Sequence, residues 1–296
     1  MSTPRRLPFV LLDVFTSRPL EGNQLAVFTD ARGLSSQEMQ RLARETNLSE
    51  TTFVLPEPAA APDAPTRVRI FTVDEELPFA GHPTLGTASV LRGTSGTPEV
   101  VLELGVGQVP VAFEDGPEGA FGEMRQRDPI FGRRHDPAEV ARALGLQAEI
   151  LDPALPIETV STGLAFAMVP VRSLAALQGL RPDVARGADY LAHTDAKFFY
   201  FVCRETVDPA ARLHARMLFY GGEDPATGSA AGCCSAWMVM HGVAAPGERV
   251  LIEQGLETRR PSRLFVRAAR RGDAVVDVRV GGHAVEVGRG ELSISL

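Results

Sequence analysis

Two runs of the chain pair an ionisable residue with proline and then with small, hydroxyl-bearing residues. They are His82-Pro83-Thr84-Leu85-Gly86-Thr87-Ala88 and Asp224-Pro225-Ala226-Thr227-Gly228-Ser229-Ala230. The runs lie close to half the chain length apart, and each follows a strand-like segment and opens a helical one. A duplicated strand–turn–helix unit would present two helix N-termini, one headed by histidine and one by aspartate. If the halves face each other, both side chains and two sets of free N–H groups converge on one cleft. That combination gives acid–base chemistry and anion binding in one place. In each turn the ionisable residue stands where a helix cap belongs, with proline at the first helical position. Asp224 would serve as an ordinary N-cap. Histidine is a poor cap, so His82 calls for another reason. Gly86 and Gly228 fall in the first turn, where the backbone could come close to a ligand, and Thr87 and Ser229 each add a hydroxyl.

Glu50 is a third candidate, at the start of the strand-like run Glu50-Thr51-Thr52-Phe53-Val54-Leu55. It reads either as a solvated edge residue or as a half-buried carboxyl whose pKa desolvation would raise toward acid/base duty. Glu45 sits on the polar face of the preceding helix. Three cysteines, Cys203, Cys233 and Cys234, build no disulfide framework, and the Cys and His spacing fits no common zinc pattern. Gly228-Ser229-Ala230-Ala231-Gly232 lacks the lysine of a P-loop and the spacing of a dinucleotide fingerprint. The expectation is a protein with no metal and no cofactor.

The elements that must position these residues follow from patterning. Ser35-Ser36-Gln37-Glu38 is a capping box, and Met39, Leu42, Ala43 and Thr46 at helical spacing predict a helix to about Asn47. Strands are expected at Phe9 to Phe15, Gln24 to Phe28, Glu50 to Leu55 and Val68 to Val73. A hairpin is expected from Glu99 to Glu114, around Gly105-Val106-Gly107. The Gly-, Asp- and Pro-rich stretch from Glu114 to Pro137 reads as a loop between halves. Further strands are expected at Thr159 to Val171, Lys197 to Cys203 and Leu213 to Tyr220. A helix follows from Ser229 to His241, then four short strand-like runs between Leu264 and Leu296. With 296 residues, two domains are expected. Their spans are 1–127, carrying Glu50 and His82, and 128–296, carrying Asp224 and Ser229, with the last strand able to return to the first half. Each half reads as α+β, a sheet wrapped around a central helix.

A net charge of −7 with no long Lys/Arg block argues against nucleic acid or an anionic membrane surface as partner. The stretch from Arg5 to Asp13 briefly imitates a secretory signal, but its apolar part is short and broken by Pro8. No run approaches a bilayer-spanning length, and a cytoplasmic protein is expected.

The motif set is specific. Gly22-Asn23, the run from Ala43 to Phe53, Leu77-Pro78-Phe79-Ala80-Gly81-His82-Pro83, the run from Glu223 to Gly232, Gln254-Gly255 and Gly288-Arg289-Gly290 together resemble the phenazine biosynthesis PhzF family. The similarity is collinear over essentially the whole chain. It implies the diaminopimelate-epimerase-like fold, two pseudo-symmetric α+β halves with the active site between them, usually as a homodimer. It also implies Glu50 as the principal acid/base, His82 and Asp224 as catalytic partners, and Gly81, Gly228 and Ser229 in substrate binding. The founding members isomerise trans-2,3-dihydro-3-hydroxyanthranilate, moving a proton from ring C3 to C1, after which the product enol becomes a ketone. The resemblance therefore implies a cofactor-independent isomerase acting on a small enolic or cyclic amino or hydroxy carboxylic acid. Two alternatives stand beside it. Racemases of this fold place one cysteine at each turn, whereas both turns here lack one. A non-catalytic metabolite- or partner-binding protein on the same scaffold is the other.

Overall fold

The structure is a computed structural model that describes residues 5–57, 64–219 and 222–294. The chain divides into two compact units, Met1–Met124 with Gly281–Leu296, and Arg125–Val280. The first unit runs β1 (Arg5–Val14), β2 (Asn23–Phe28), α1 (Ser36–Thr46), β3 (Glu50–Leu55), β4 (Thr66–Phe71), β5 (Glu76–Leu77), α2 (Gly81–Ser95), β6 (Glu99–Leu104), β7 (Gly107–Gly116) and β8 (Gly119–Arg125). The second contains β9 (Ile130–Arg134), α3 (Pro137–Leu144), β10 (Glu158–Ser161), β11 (Ala165–Pro170), α4 (Leu174–Gln178), α5 (Val184–Leu191) and β12 (Phe198–Cys203). It continues with β13 (Ala211–Phe219), β14 (Gly222–Asp224), α6 (Gly228–Met240), β15 (Val250–Gln254) and β16 (Ser262–Arg271). The strand β17 (Ala274–Ile294) begins in the second unit and finishes in the first.

In the first unit β1 pairs antiparallel with β2, and β2 pairs parallel with β3, which sets Leu25 beside Glu50. One face of this sheet carries α1. Its Ser35 cap and Glu38 form the reciprocal capping box, and Asn47 ends it in the left-handed conformation. Met39, Leu42 and Ala43 turn inward onto Phe28, Phe53 and Phe71. The rings of Phe28 and Phe53 stack at 5.1 Å, and Phe71 meets Phe53 edge-on at 5.4 Å. Against β1, β2, β3 and β6 lies α2, whose residues 81–88 are all buried. A helix enclosed this closely needs small residues where strands cross it. A Cβ on Gly86 would stand 2.6 Å from Leu25 and 2.8 Å from Val14, so this glycine serves helix–sheet packing.

The second unit repeats the plan. Its central helix α6 is buried almost throughout, with Trp237 fully enclosed, and packs on β10, β11 and β16. A separate cluster under α3 and α5 joins Val140, Leu144, Leu191, Phe199 and Phe201. No helix among the described residues is long and apolar enough to cross a membrane.

Two expectations need correction. The stretch from Glu114 to Pro137 is not a loop. It holds the end of β7, then β8 and β9, and a tight turn pairs Gly116 with Gly119. The separate runs expected after Ala274 form one strand, β17, paired antiparallel with β1 from Arg5↔Ile294 to Val14↔Ala284 through a register shift at Leu11/Leu12. Glycine lowers strand propensity, but a long partner strand supplies the ladder that propensity lacks. The expected terminal residues Ser295 and Leu296, and Tyr220 of the strand at Leu213, lie outside the described residues. Between β11 and β12 lie α4 and α5, the latter capped by Asp183.

Between β1 and β2, Gly22 adopts φ +68°, and a Cβ there would meet the Val14 carbonyl oxygen and stand 2.7 Å from Thr16 Cγ2. By contrast, exposed Gly93 on α2 has nothing within 4 Å of a Cβ. Alanine substitutions should therefore have opposite signs. Gly93→Ala should stabilise by about 0.5–1 kcal/mol through helix propensity. Gly22→Ala should destabilise by roughly 2 kcal/mol or more through strain and clash. Urea unfolding of the two variants checks both signs.

Candidate active site

Glu50 opens β3, with its side chain 17% exposed, and His82 lies in the first turn of α2 at 5%. The imidazole Nε2 stands 3.6 Å from Glu50 Oε2, beyond hydrogen-bond reach but near enough for a proton to pass through a bridging group. This Nε2 is buried and has no hydrogen-bond partner among the described residues. On the other side of the ring, Asn23 Nδ2 lies 3.3 Å from Nδ1. The donor and acceptor in this contact follow the tautomer of the ring. Burial pushes the His82 pKa down to about 3, against the opposing pull of a hydrogen bond with the Gln24 backbone. The ring is therefore neutral at physiological pH, and the pair with Glu50 is not a salt bridge.

Hydroxyls fix the supporting frame. Thr87 on α2 donates to Thr52 on β3 at 2.8 Å, with both residues fully buried, which couples the helix of His82 to the strand of Glu50. Thr46, in the last turn of α1, meets Thr51 at 2.6 Å.

In the second unit Asp224 closes β14, and its strand is held from the far side. Buried Arg216 grips Glu223 with two hydrogen bonds, 2.8 and 2.7 Å, and donates to the carbonyls of Leu177, Gln178 and Leu180. Thr227 donates its hydroxyl to Asp224 Oδ2 at 2.6 Å. Fully buried Gln254 reaches the backbone carbonyl of Asp224 at 2.7 Å and the Thr227 hydroxyl at 3.0 Å. Half-buried Ser229 follows Gly228 in the first turn of α6.

The capping geometry corrects the sequence reading. His82 is the second helical residue of α2, after Gly81, and Ala80 stands at the cap. Asp224 precedes α6 by a strand end and a turn, and Thr227 stands at its cap. The two turns are offset, so the echo in sequence is not an equivalence of position. Proline at N1 occurs instead on α3, at Pro137. Four helices, α1, α3, α4 and α5, have N-cap side chains that accept backbone N–H groups. Neither α2 nor α6 has one. The first N–H groups of both central helices thus lack the usual protein acceptor, which suits them to an anion. Gly81, Gly228 and Ser229 lie in those first turns.

Pattern reading missed Gln254 as a site-organising group, because its partners Asp224 and Thr227 lie about thirty residues away, and Thr227, whose hydroxyl is three residues from Asp224 but is approached by Gln254 from that distance. The adjacent Gly255 was the local signal that the chain turns sharply there. It also missed that His214 is charged. Burial works against that charge, but hydrogen bonds to Glu253 at 2.7 Å and Glu257 at 3.0 Å hold its pKa up at about 9. Cys233 and Cys234 are fully buried on α6, and burial pushes Cys233 up to about 11 and Cys234 higher still. Thiols so placed are poor acids and bases near neutral pH.

The family model for phenazine biosynthesis-like proteins matches residues 12–290. An isomerase of Mesorhizobium japonicum, without assigned substrate, is 40% identical over 97% of this chain and 98% of its own. The trans-2,3-dihydro-3-hydroxyanthranilate isomerase of Pseudomonas aeruginosa is also 40% identical, over 95% of this chain and 98% of its own. The solved PhzF-family protein of Bacillus anthracis superposes with a TM-score of 0.86 at 29% identity, covering 98% of this chain and all of that one. Matches of this kind, spanning both units, define an isomerase. The chain belongs to the phenazine biosynthesis-like PhzF family.

The buried neutral histidine leaves a signature in stability. Between pH 6.5 and about 3 the unfolded chain binds a proton at residue 82 that the folded chain does not. The folded state therefore loses stability as pH falls through that window. Replacing His82 with glutamine should remove this part, so that between pH 7.5 and 4.5 the variant loses about 2 kcal/mol less than wild type. Urea unfolding at the two pH values checks it. An equal pH loss in both proteins would contradict a neutral His82.

Proposed function

We propose that this chain is an isomerase that shifts one proton between two carbons of a small enolic or cyclic amino or hydroxy carboxylic acid, with Glu50 as the acid/base. The observation that carries this reading is the approach of Glu50 Oε2 to the neutral, partnerless Nε2 of buried His82 at 3.6 Å. A carboxylate can take a proton from carbon and return it elsewhere, and the electron pair of the broken C–H bond moves into the conjugated system. The formula of the substrate is unchanged, so atoms and electrons balance within one molecule.

His82, neutral throughout the working pH range, would donate from Nε2 rather than act as a cation. It would steer a substrate hydroxyl or amino group toward Glu50 and relay its proton. Gly81 and the uncapped start of α6, with the N–H groups and hydroxyl of Gly228 and Ser229, would hold the substrate carboxylate with help from the helix dipole. Asp224, oriented by Thr227, would accept from an amino or hydroxyl group. Two relatives with the same identity carry different descriptions, one tied to trans-2,3-dihydro-3-hydroxyanthranilate and one to no substrate, so the test uses a panel.

Wild type and Glu50→Gln are incubated in heavy water with trans-2,3-dihydro-3-hydroxyanthranilate and related enolic carboxylates. Deuterium at the receiving carbon is followed by NMR. Wild type should incorporate deuterium on at least one compound, and Glu50→Gln should slow it by about 10²–10⁴-fold. Equal incorporation by both proteins would remove Glu50 from the role. Ser229→Ala should mainly raise KM, by about tenfold, if the α6 start binds the carboxylate.

A further inference from the structure

The four hydrogen bonds of Gln254 can each be assigned a direction, and the assignment has a consequence for Asp224. The Thr227 N–H, 3.3 Å from Gln254 Oε1, can only donate. The Asp224 carbonyl, 2.7 Å from Nε2, can only accept. These two backbone groups fix which end of the amide is oxygen and which is nitrogen. The Tyr200 hydroxyl, 2.9 Å from Oε1, must then be a donor. Burial raises the Tyr200 pKa well above the ordinary range, so its proton is retained.

The second N–H of Nε2 points at Thr227 Oγ1, 3.0 Å away, and can only donate there. The Thr227 hydroxyl therefore accepts from Gln254, and its own proton is directed to Asp224 Oδ2 at 2.6 Å. A free threonine hydroxyl rotates to suit its neighbours, but this one has its direction set from behind. Tyr200, Thr227 and Gln254 are all buried, so water does not compete for these sites.

We infer that Gln254 is a positioning residue for Asp224: it polarises the Thr227 hydroxyl so that Asp224 always receives that proton and keeps one carboxylate orientation. The inference takes the catalytic role of Asp224 from the isomerase reading above. Gln254 touches no substrate in this scheme. Its location suits the task, because it ends β15, which pairs parallel with β13 at Ala215, while β13 pairs with β14 at Met217↔Asp224. Strand register thus fixes the distance between Gln254 and the Asp224 turn.

Gln254→Glu is the decisive substitution, since it keeps shape and replaces the donor facing Thr227 with an acceptor. The Thr227 hydroxyl would then turn toward residue 254, and Asp224 would lose the Thr227 hydrogen bond and face a new negative charge. The Asp224 carboxyl titration is followed by carbon-13 NMR in the full chain without substrate, for Gln254→Glu, Thr227→Val, Thr227→Ser and the Gln254→Glu/Thr227→Val double variant. The Asp224 midpoint should rise by about one pH unit or more in Gln254→Glu and in Thr227→Val, and stay near wild type in Thr227→Ser. The two shifts should be less than additive in the double variant, because part of the Gln254 effect passes through the Thr227 hydroxyl. In the turnover assay, Gln254→Glu should lower kcat/KM about tenfold or more and move the acidic limb of its pH profile upward.

Equal effects of Gln254→Glu with and without the Thr227 hydroxyl, or an unmoved Asp224 midpoint, would overturn the inference. If Gln254→Glu fails to fold, Gln254→Met with Thr227→Val gives the same cycle without a new charge, and additive shifts there overturn it equally. Absence of turnover by wild type would count against the isomerase reading alone, because the titration needs no substrate.

Discussion

A helix enclosed by a sheet still has to end, and its first N–H groups have no acceptor within the helix. That constraint governs both units. The peripheral helices meet it with Ser35, Asp136, Ser173 and Asp183, each accepting from its own first turn. The two central helices do not, since Ala80 has no side-chain acceptor and the Thr227 hydroxyl is turned to Asp224. Enclosure also selects residue type. Gly86 lets α2 approach Leu25 and Val14, and the run of Ala, Gly and Cys on α6 serves the same end.

The histidines show how neighbours decide charge once burial is given. His82 and His214 are both enclosed, at 4% and 0% exposure. Around His82 the polar groups in reach are the Asn23 amide and the Gln24 backbone, and Glu50 stays 3.6 Å away. Desolvation wins and the ring is neutral. His214 has carboxylates at 2.7 and 3.0 Å on its two nitrogens, which outweigh desolvation and hold the ring charged. The first arrangement leaves a neutral ring beside a carboxylate; the second makes a fixed ion cluster that includes Arg216 and Glu223 on β14.

Local signals in the sequence were read where local physics decides. The capping box at Ser35 and Glu38, the inward set Met39, Leu42 and Ala43, and the strand beginning at Glu50 all follow from neighbours in sequence. Misreadings came where a distant partner overrides composition. Gly116, Gly119 and Gly122 suggested a loop, yet β7 and β8 pair through them; Gly288 and Gly290 suggested breaks, yet β1 lies alongside. Asp224-Pro225 looked like a cap because aspartate before proline commonly is one. Gln254, some thirty residues away, claims the Asp224 carbonyl and the Thr227 amide and shifts the helix start to Gly228. Of the candidate site, Glu50 and His82 meet through a parallel strand pair and a helix crossing that no spacing rule encodes.

The internal repeat has kept its architecture and exchanged its chemistry. In the first unit β2, the parallel neighbour of β3, supplies Asn23, whose amide lies 3.3 Å from Nδ1 of the buried His82 ring. In the second unit the parallel pair β13 and β15 supplies Gln254, and one amide sets the hydroxyl that serves Asp224. In both, a carboxamide from a strand makes hydrogen-bond contact with a polar side chain in the first turn or at the cap of a central helix. An amide suits that position because it donates and accepts at fixed, opposite ends and does not titrate. A carboxylate or imidazole there would change its donor pattern with pH. The ionisable side chains differ between the units, while a strand carboxamide stands beside each of them.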